Sequence, residues 1–135
     1  TFLIIIGSIE NDVKEKLLKE TNQNDRIILT GWLDSTEMIK AMLASDIAVF
    51  AGSQSVLWQH ALGCGLPAIY KYWPGVDYLS IGNAFFLNTS QGQELLEHLN
   101  YLIDNKDIRE RMGKLAREHC INKFSYEIIA KTSMD

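Results

Sequence analysis

GSQSVLWQHALGCGLPAIY, residues 52 to 70, decides the fold. It follows the apolar run IAVFA (47 to 51) with a small polar elbow. It then passes through the helix-forming VLWQHAL and leaves through Gly-Cys-Gly-Leu-Pro into a second apolar run, PAIYK. Two continuously apolar strands joined through one helix form a right-handed parallel crossover. A strand covered by helices on both faces is apolar throughout rather than alternating.

The same grammar extends in both directions. FLIII (2 to 6) reads as a strand covered on both faces, broken by Gly7-Ser8. Residues 10 to 21 form a charged amphipathic helix with Val13, Leu17 and Leu18 inward. RIILT (26 to 30) is a strand closed by Gly31. Asp34 and Glu37 stand in capping-box spacing ahead of a helix burying Met38, Ile39, Met42 and Leu43. Beyond the elbow, AFFLN (84 to 88) is a fifth strand. Ser90 is expected to cap a helix with Leu95, Leu96, Leu99, Leu102 and Ile103 inward. Residues 106 to 120 make a further helix on Ile108, Met112 and Leu115, and Phe124 to Ile129 form a terminal segment. The fold class is α/β, a doubly wound parallel sheet of Rossmann-like kind.

Composition sets limits on function. The 135 residues fit a single domain, residues 1–135, and 47% hydrophobic content is enough for a core. The net charge of −4 argues against nucleic acid as a partner, which needs clustered cations to neutralise phosphates. The basic group Arg109, Arg111, Lys114 and Arg117 reads as a solvated helix face. Cys64 and Cys120 lack metal-ligand spacing, so no metal is expected. Both read as reduced core thiols, which fits a cytoplasmic protein. No apolar run approaches the roughly 20 residues of a spanning helix, so no transmembrane segment is expected. The chain begins at Thr1 and enters a strand almost at once, which reads as a fragment of a longer protein.

Open parallel sheets take ligands at the carboxyl ends of their strands. Four polar joints follow strands here: Gly7-Ser8, Gly31-Trp32-Leu33, Gly52 to Ser55, and Lys71 to Asp77. Ser53, Gln54 and Ser55 precede a helix amino terminus, whose free N–H groups suit phosphate. GSIEND after the first strand is neither a dinucleotide fingerprint nor a P-loop. No nucleophile elbow accompanies the scattered His60, His98 and His119. His98 and His119 read as structural, whereas His60 lies just beyond the polar elbow and reads either as a ligand or as a satisfied helix residue.

These stretches, in this order, resemble a family. ILTGWL, MIKAMLASDIAVF and HALGCGLPAIY resemble the C-terminal, nucleotide-sugar-binding domain of GT-B glycosyltransferases of family 4, or group 1. LIDNKDIRERMGKLAREHCINKFSYEIIA resembles that family's closing helices. The resemblance implies a domain that binds a nucleotide diphosphate sugar. The sugar then passes to a polysaccharide or lipid-linked acceptor hydroxyl, as in bacterial capsule and surface-polysaccharide enzymes. Neither metal nor cofactor is implied. The backbone around Trp32 and Leu33 would meet the base, Gly7 would belong to the same donor site, and Gly52, Ser53, Gln54, Ser55 and Val56 would meet the pyrophosphate. His60 takes the place of a ribose-binding glutamate, Gly75 and Asp77 lie near the sugar, and Lys71 is a cation for the departing diphosphate. With no gap the family's two glutamates fall on Gly52 and His60, neither acidic; with a short deletion, AGSQSVLW is a shortened form of the loop that carries the first. The resemblance also implies that one βα unit of roughly 30 residues and an acceptor-binding N-terminal domain precede this chain. The full protein would be cytoplasmic and peripheral to a membrane. A nucleotide-sugar epimerase-like domain and a degenerate, non-catalytic binding or assembly module are the alternatives. For a receiver-like signalling module GSIEND offers only weak acids and AVFAG no aspartate, which disfavours that reading.

Overall fold

The computed structural model describes residues 1–21, 24–52 and 55–133. Strands and helices alternate as the sequence predicts. The order is β1 (Leu3–Ile6), α1 (Asn11–Glu20), β2 (Ile27–Gly31), α2 (Ser35–Leu43), β3 (Ala48–Phe50), α3 (Leu57–Gly63) and β4 (Ala68–Lys71). A 3-10 turn (Val76–Leu79) follows, then β5 (Ala84–Leu87), α4 (Gly92–Asp104), α5 (Lys106–Phe124) and α6 (Tyr126–Ser133). Every strand pairing is parallel. The chain divides into two compact units, Thr1–Lys40 and Ala41–Asp135.

In the first unit β1 pairs with β2, Leu3 opposite Ile27 and Ile6 opposite Gly31 across one register shift. Phe2, Leu3 and Ile4 are exposed, so β1 is not covered on both faces as its apolar run predicts. Val13 and Leu18 are exposed as well, and α1 buries no residue. Two strands and one charged helix have too little apolar surface to close a core of their own. The expected capping box forms: Glu37 N–H donates to Asp34 Oδ1 at 2.8 Å, and Asp34 N–H to Glu37 Oε2 at 3.3 Å.

The second unit holds the core. Its sheet runs β3-β4-β5, and in the central strand Ala68, Ile69 and Tyr70 are fully covered. Successive side chains on a strand point to opposite faces. Ile69 and Leu87 pack with Leu102 and Met112, flanked by Phe85, Leu95, Leu99 and Ile108 of β5, α4 and α5. On the other face Tyr70 stacks on Phe50 and meets Trp58 of α3 at 4.9 Å and Phe86 at 6.1 Å. Leu43, Leu96 and Ile103 are exposed rather than inward. α5 runs to Phe124, beyond the expected end, and Phe124 packs on Tyr78 and His119.

The Gly-Cys-Gly-Leu-Pro exit serves close packing. Gly65 turns the chain with φ +74, a conformation that disfavours any side chain. Its carbonyl lies against Gly113 of α5, so close that a Cβ there would come within 3.0 Å of the oxygen. Two residues earlier Gly63 faces Cys120 Sγ. Both thiols are free and half-buried, less enclosed than expected, and burial raises the pKa of each.

Candidate functional site

At the carboxyl ends of β1 and β2 the chain leaves the sheet through two glycines. Gly7 has φ 131 and Gly31 φ 71, and Gly7 N–H donates to Gly31 O at 2.8 Å. The two joints are thereby locked side by side. Around them opens a cavity of about 350 Å3 lined by Gly7, Ser8, Lys14, Thr30, Gly31 and Trp32. Trp32 is 75% exposed, a large aromatic face open to solvent, and Leu33 beside it is half-buried. The structure thus brings Gly7 and Trp32 together from stretches 25 residues apart. Lys14, one turn into α1, is a cation of this cavity that the motif reading missed; its only sequence signal was its nearness to the Gly7-Ser8 joint.

In the second unit the elbow after β3 is exposed at Gly52, Ser55 and Val56; Ser53 and Gln54 lie outside the described residues. Ser55 caps locally. Its Oγ accepts from Leu57 N–H at 3.2 Å, its carbonyl accepts from Trp58 N–H, and Val56 O accepts from Gln59 N–H. The amides of Leu57, Trp58 and Gln59 are therefore already engaged at the start of α3. His60 is exposed on α3, and among the described residues its ring has no hydrogen-bond partner.

After β4, Lys71 Nζ donates to Thr89 O at 2.8 Å and to Ser90 Oγ at 3.3 Å. Glu94 grips the same loop from α4, accepting from Asn88 N–H, Thr89 N–H and Thr89 Oγ1. Ser90 does not cap α4 as expected, because Glu94 takes the loop's donors and Thr89 Oγ1 accepts from Gln91 N–H. The Asn88 amide, then the Thr89 hydroxyl and amide, hold Glu94 down to about 2 from an ordinary 4.5. A depressed carboxylate contributes stability that is complete above its unfolded pKa and lost as pH falls through its folded one. Glu94→Gln is accordingly expected to lower the thermal midpoint at neutral pH. The gap should narrow below pH 4.5 and close only as pH falls below about 2, which melting curves of both proteins across that window would show.

Gly75 (φ 89) opens the 3-10 turn that carries exposed Asp77. This loop is anchored from behind. His119 Nε2 donates to Tyr78 O at 2.6 Å, and Asn83, fully buried, accepts from Ile81 N–H and donates to Leu79 O. His119 and Asn83 hold the loop in place, a role no local motif announced. His98 stacks flat on Phe85 at 4.6 Å, a packing residue as read.

The model of the family described as glycosyl transferase-like matches residues 5–135 of this chain. The chain belongs to the glycosyl transferase-like family. An uncharacterized glycosyltransferase of Methanocaldococcus jannaschii is 27% identical over 93% of the chain, which spans 33% of that relative's length. This glycosyl transferase-like chain shares its fold with the C-terminal domain of LpcC, a glycosyl transferase group 1 family protein of Francisella tularensis. The TM-score is 0.81 at 20% identity, covering 93% of this chain and 70% of that one. It likewise matches HepE of Anabaena, solved in complex with UDP-glucose, with TM-score 0.78, 18% identity and coverage of 99% and 41%. The Rossmann-like domain is therefore of the C-terminal GT-B group 1 type. Among the described residues no helix is long and apolar enough to cross a membrane, and no His, Cys, Asp and Glu cluster of three or more stands ready for a metal.

Proposed function

We propose that this chain is the donor-binding part of a two-domain glycosyltransferase. It takes a nucleotide diphosphate sugar and presents it for transfer to an acceptor hydroxyl on a polysaccharide or lipid-linked glycan. The observation that carries this reading is the cavity at the ends of β1 and β2, where two locked glycines leave the Trp32 indole exposed beside the main chain of the two joints. That pairing of an aromatic face with main-chain polar edges suits a nucleobase. HepE, of the same fold, holds UDP-glucose, which supports a uridine diphosphate sugar as the first donor to test.

The chemistry asked of the protein is electrostatic: stabilise the departing diphosphate while the sugar moves. No metal or cofactor takes part in this reading. Lys71, tied to Thr89 and Ser90, acts by fixing the loop after β5 and remains near the diphosphate end as a partial counter-charge. The second domain would supply the acceptor site, and the whole protein would work in the cytoplasm at a membrane face.

Calorimetric titration of the complete protein with UDP, GDP and ADP tests the reading. One diphosphate should bind saturably. Trp32→Ala should weaken it by roughly tenfold or more, since base–aromatic stacking contributes about 1–3 kcal/mol. A degenerate, non-catalytic module has one observation in its favour: neither Gly52 nor the unpartnered His60 is acidic. Binding without sugar turnover, in wild type and in His60→Glu alike, would favour that module. Absence of any diphosphate binding at millimolar concentration would reject the donor-site reading.

A further inference from the structure

Three of the four cations that read as a solvated face of α5, Arg109, Lys114 and Arg117, line a concave place together with Lys106. A cavity of about 390 Å3 opens at the amino-terminal ends of β3 and β4, between the 64–67 loop, Ser45-Asp46 and α5. Its volume is in the range of small-ligand sites. Lys106, Arg109, Lys114 and Arg117 face it against the carboxylates of Asp46 and Glu110. The lining is therefore net positive on a chain whose net charge is −4.

These four cations are not equivalent. Arg109 Nη1 donates to Leu102 O at 2.6 Å and Ile103 O at 2.7 Å, finishing the carbonyl end of α4. Lys106 meets Glu110 at 3.6 Å. Among the described residues, Lys114 and Arg117 have no carboxylate within ion-pair distance. They stand three residues apart on one helix face, beside a floor that the Gly65–Gly113 approach makes rigid. A planar guanidinium and a compact ammonium, neither of them ion-paired, are the donor types that recognise a phosphate group.

We propose that this groove binds a phosphate-bearing anion, held by Lys114 and Arg117. It cannot be the diphosphate of the donor reading. The elbow and the Lys71–Asp77 loop leave the opposite ends of the same strands, and four-residue β4 alone separates the two edges by roughly 10 Å. The anion comes either free, as a diphosphate, or as the headgroup of an anionic lipid.

Cys64 lines the groove and reports on it. In the complete protein, the alkylation rate of Cys64 is followed by peptide mass spectrometry under three additions: inorganic pyrophosphate, phosphatidylglycerol vesicles and phosphatidylcholine vesicles. An anion at twice its Kd leaves about a third of the sites free, so alkylation should slow roughly threefold. Lys114→Glu/Arg117→Glu should abolish that protection at an unchanged melting temperature. Lys114→Gln/Arg117→Gln serves if charge reversal prevents folding. Protection by pyrophosphate supports a free anion as the ligand, and protection by phosphatidylglycerol alone supports a headgroup. No protection by either, equal protection by phosphatidylcholine, or protection that persists in the charge variants would overturn the proposal. UDP binding at the other edge is independent of every one of these outcomes.

Discussion

Gly113→Ala is expected to lower the thermal midpoint of the second unit by about 10 °C. In most helices the exchange would help, since alanine is favoured over glycine by roughly 1 kcal/mol in a helix interior. Here the added methyl would come within 3.0 Å of the Gly65 carbonyl oxygen, which is backbone and cannot swing aside. Relief requires α5 to move off the loop that delivers β4, and overpacking of this kind costs about 1–3 kcal/mol or more. The steric cost exceeds the propensity gain by about 2 kcal/mol, and in a domain of about 100 residues each kcal/mol moves the midpoint by roughly 4–8 °C. Gly65→Ala should also destabilise, through its φ of +74 rather than through a clash. Gly92→Ala is the control: it opens α4 with nothing within 4 Å of its would-be Cβ, and it should melt as wild type or slightly higher. Circular dichroism melts of the three proteins decide the matter. A Gly113→Ala protein as stable as wild type would mean that α5 and the 64–67 loop do not meet as closely as described.

That approach shows what was legible in the residues and what was not. Continuous apolar runs separated by helical periods gave away every strand and its parallel pairing, because a buried strand has no polar face to show. Gly-Cys-Gly-Leu-Pro read as a close-packing exit, yet nothing local named Gly113, almost fifty residues on, as its partner. The same limit explains β1: FLIII is apolar enough for a core strand, but its burial depends on how much structure stands beside it. Gly7, Gly31 and Trp32 were legible as joints after strands, and their convergence follows from parallel pairing alone. His119 was not, since its partner Tyr78 lies 41 residues away; Asn83 and Lys14 act on nearby segments, but no motif marks an asparagine that braces a turn or a lysine that faces a joint. The basic face of α5 is solvated as read, with Arg111, Lys114 and Arg117 exposed; charge spacing along a helix does not report the 64–67 loop that makes a groove beside it.

Trp58→Ala is expected to cost about 4 kcal/mol, in line with large aromatic-to-alanine changes in cores, whereas Trp58→Phe should be nearly neutral. Trp58 is 2% exposed and lies between Phe50 and Tyr70, with ring centroids 6.3 and 4.9 Å away. Its carbonyl also accepts from Tyr70 Oη at 3.4 Å, and burial pushes that phenol's pKa upward, so it stays protonated as the donor. The indole, however, buries an N–H with no partner among the described residues. Such an orphan donor costs about 1–3 kcal/mol. Phenylalanine removes that cost along with part of the ring, whose lost burial costs about 1–2 kcal/mol. The two changes oppose each other at similar size, while alanine also leaves the cavity. Urea unfolding of the three proteins should therefore place Phe within about 1 kcal/mol of wild type. If Phe instead falls as far as Ala, the indole N–H is satisfied in the native protein and the site is a polar contact rather than a packing one. The distinction bears on the proposed donor edge, because Trp58 sits one turn past the elbow at Ser55. A helix fixed there by packing alone would hold that loop equally well with phenylalanine, and UDP affinity would be unchanged in that variant.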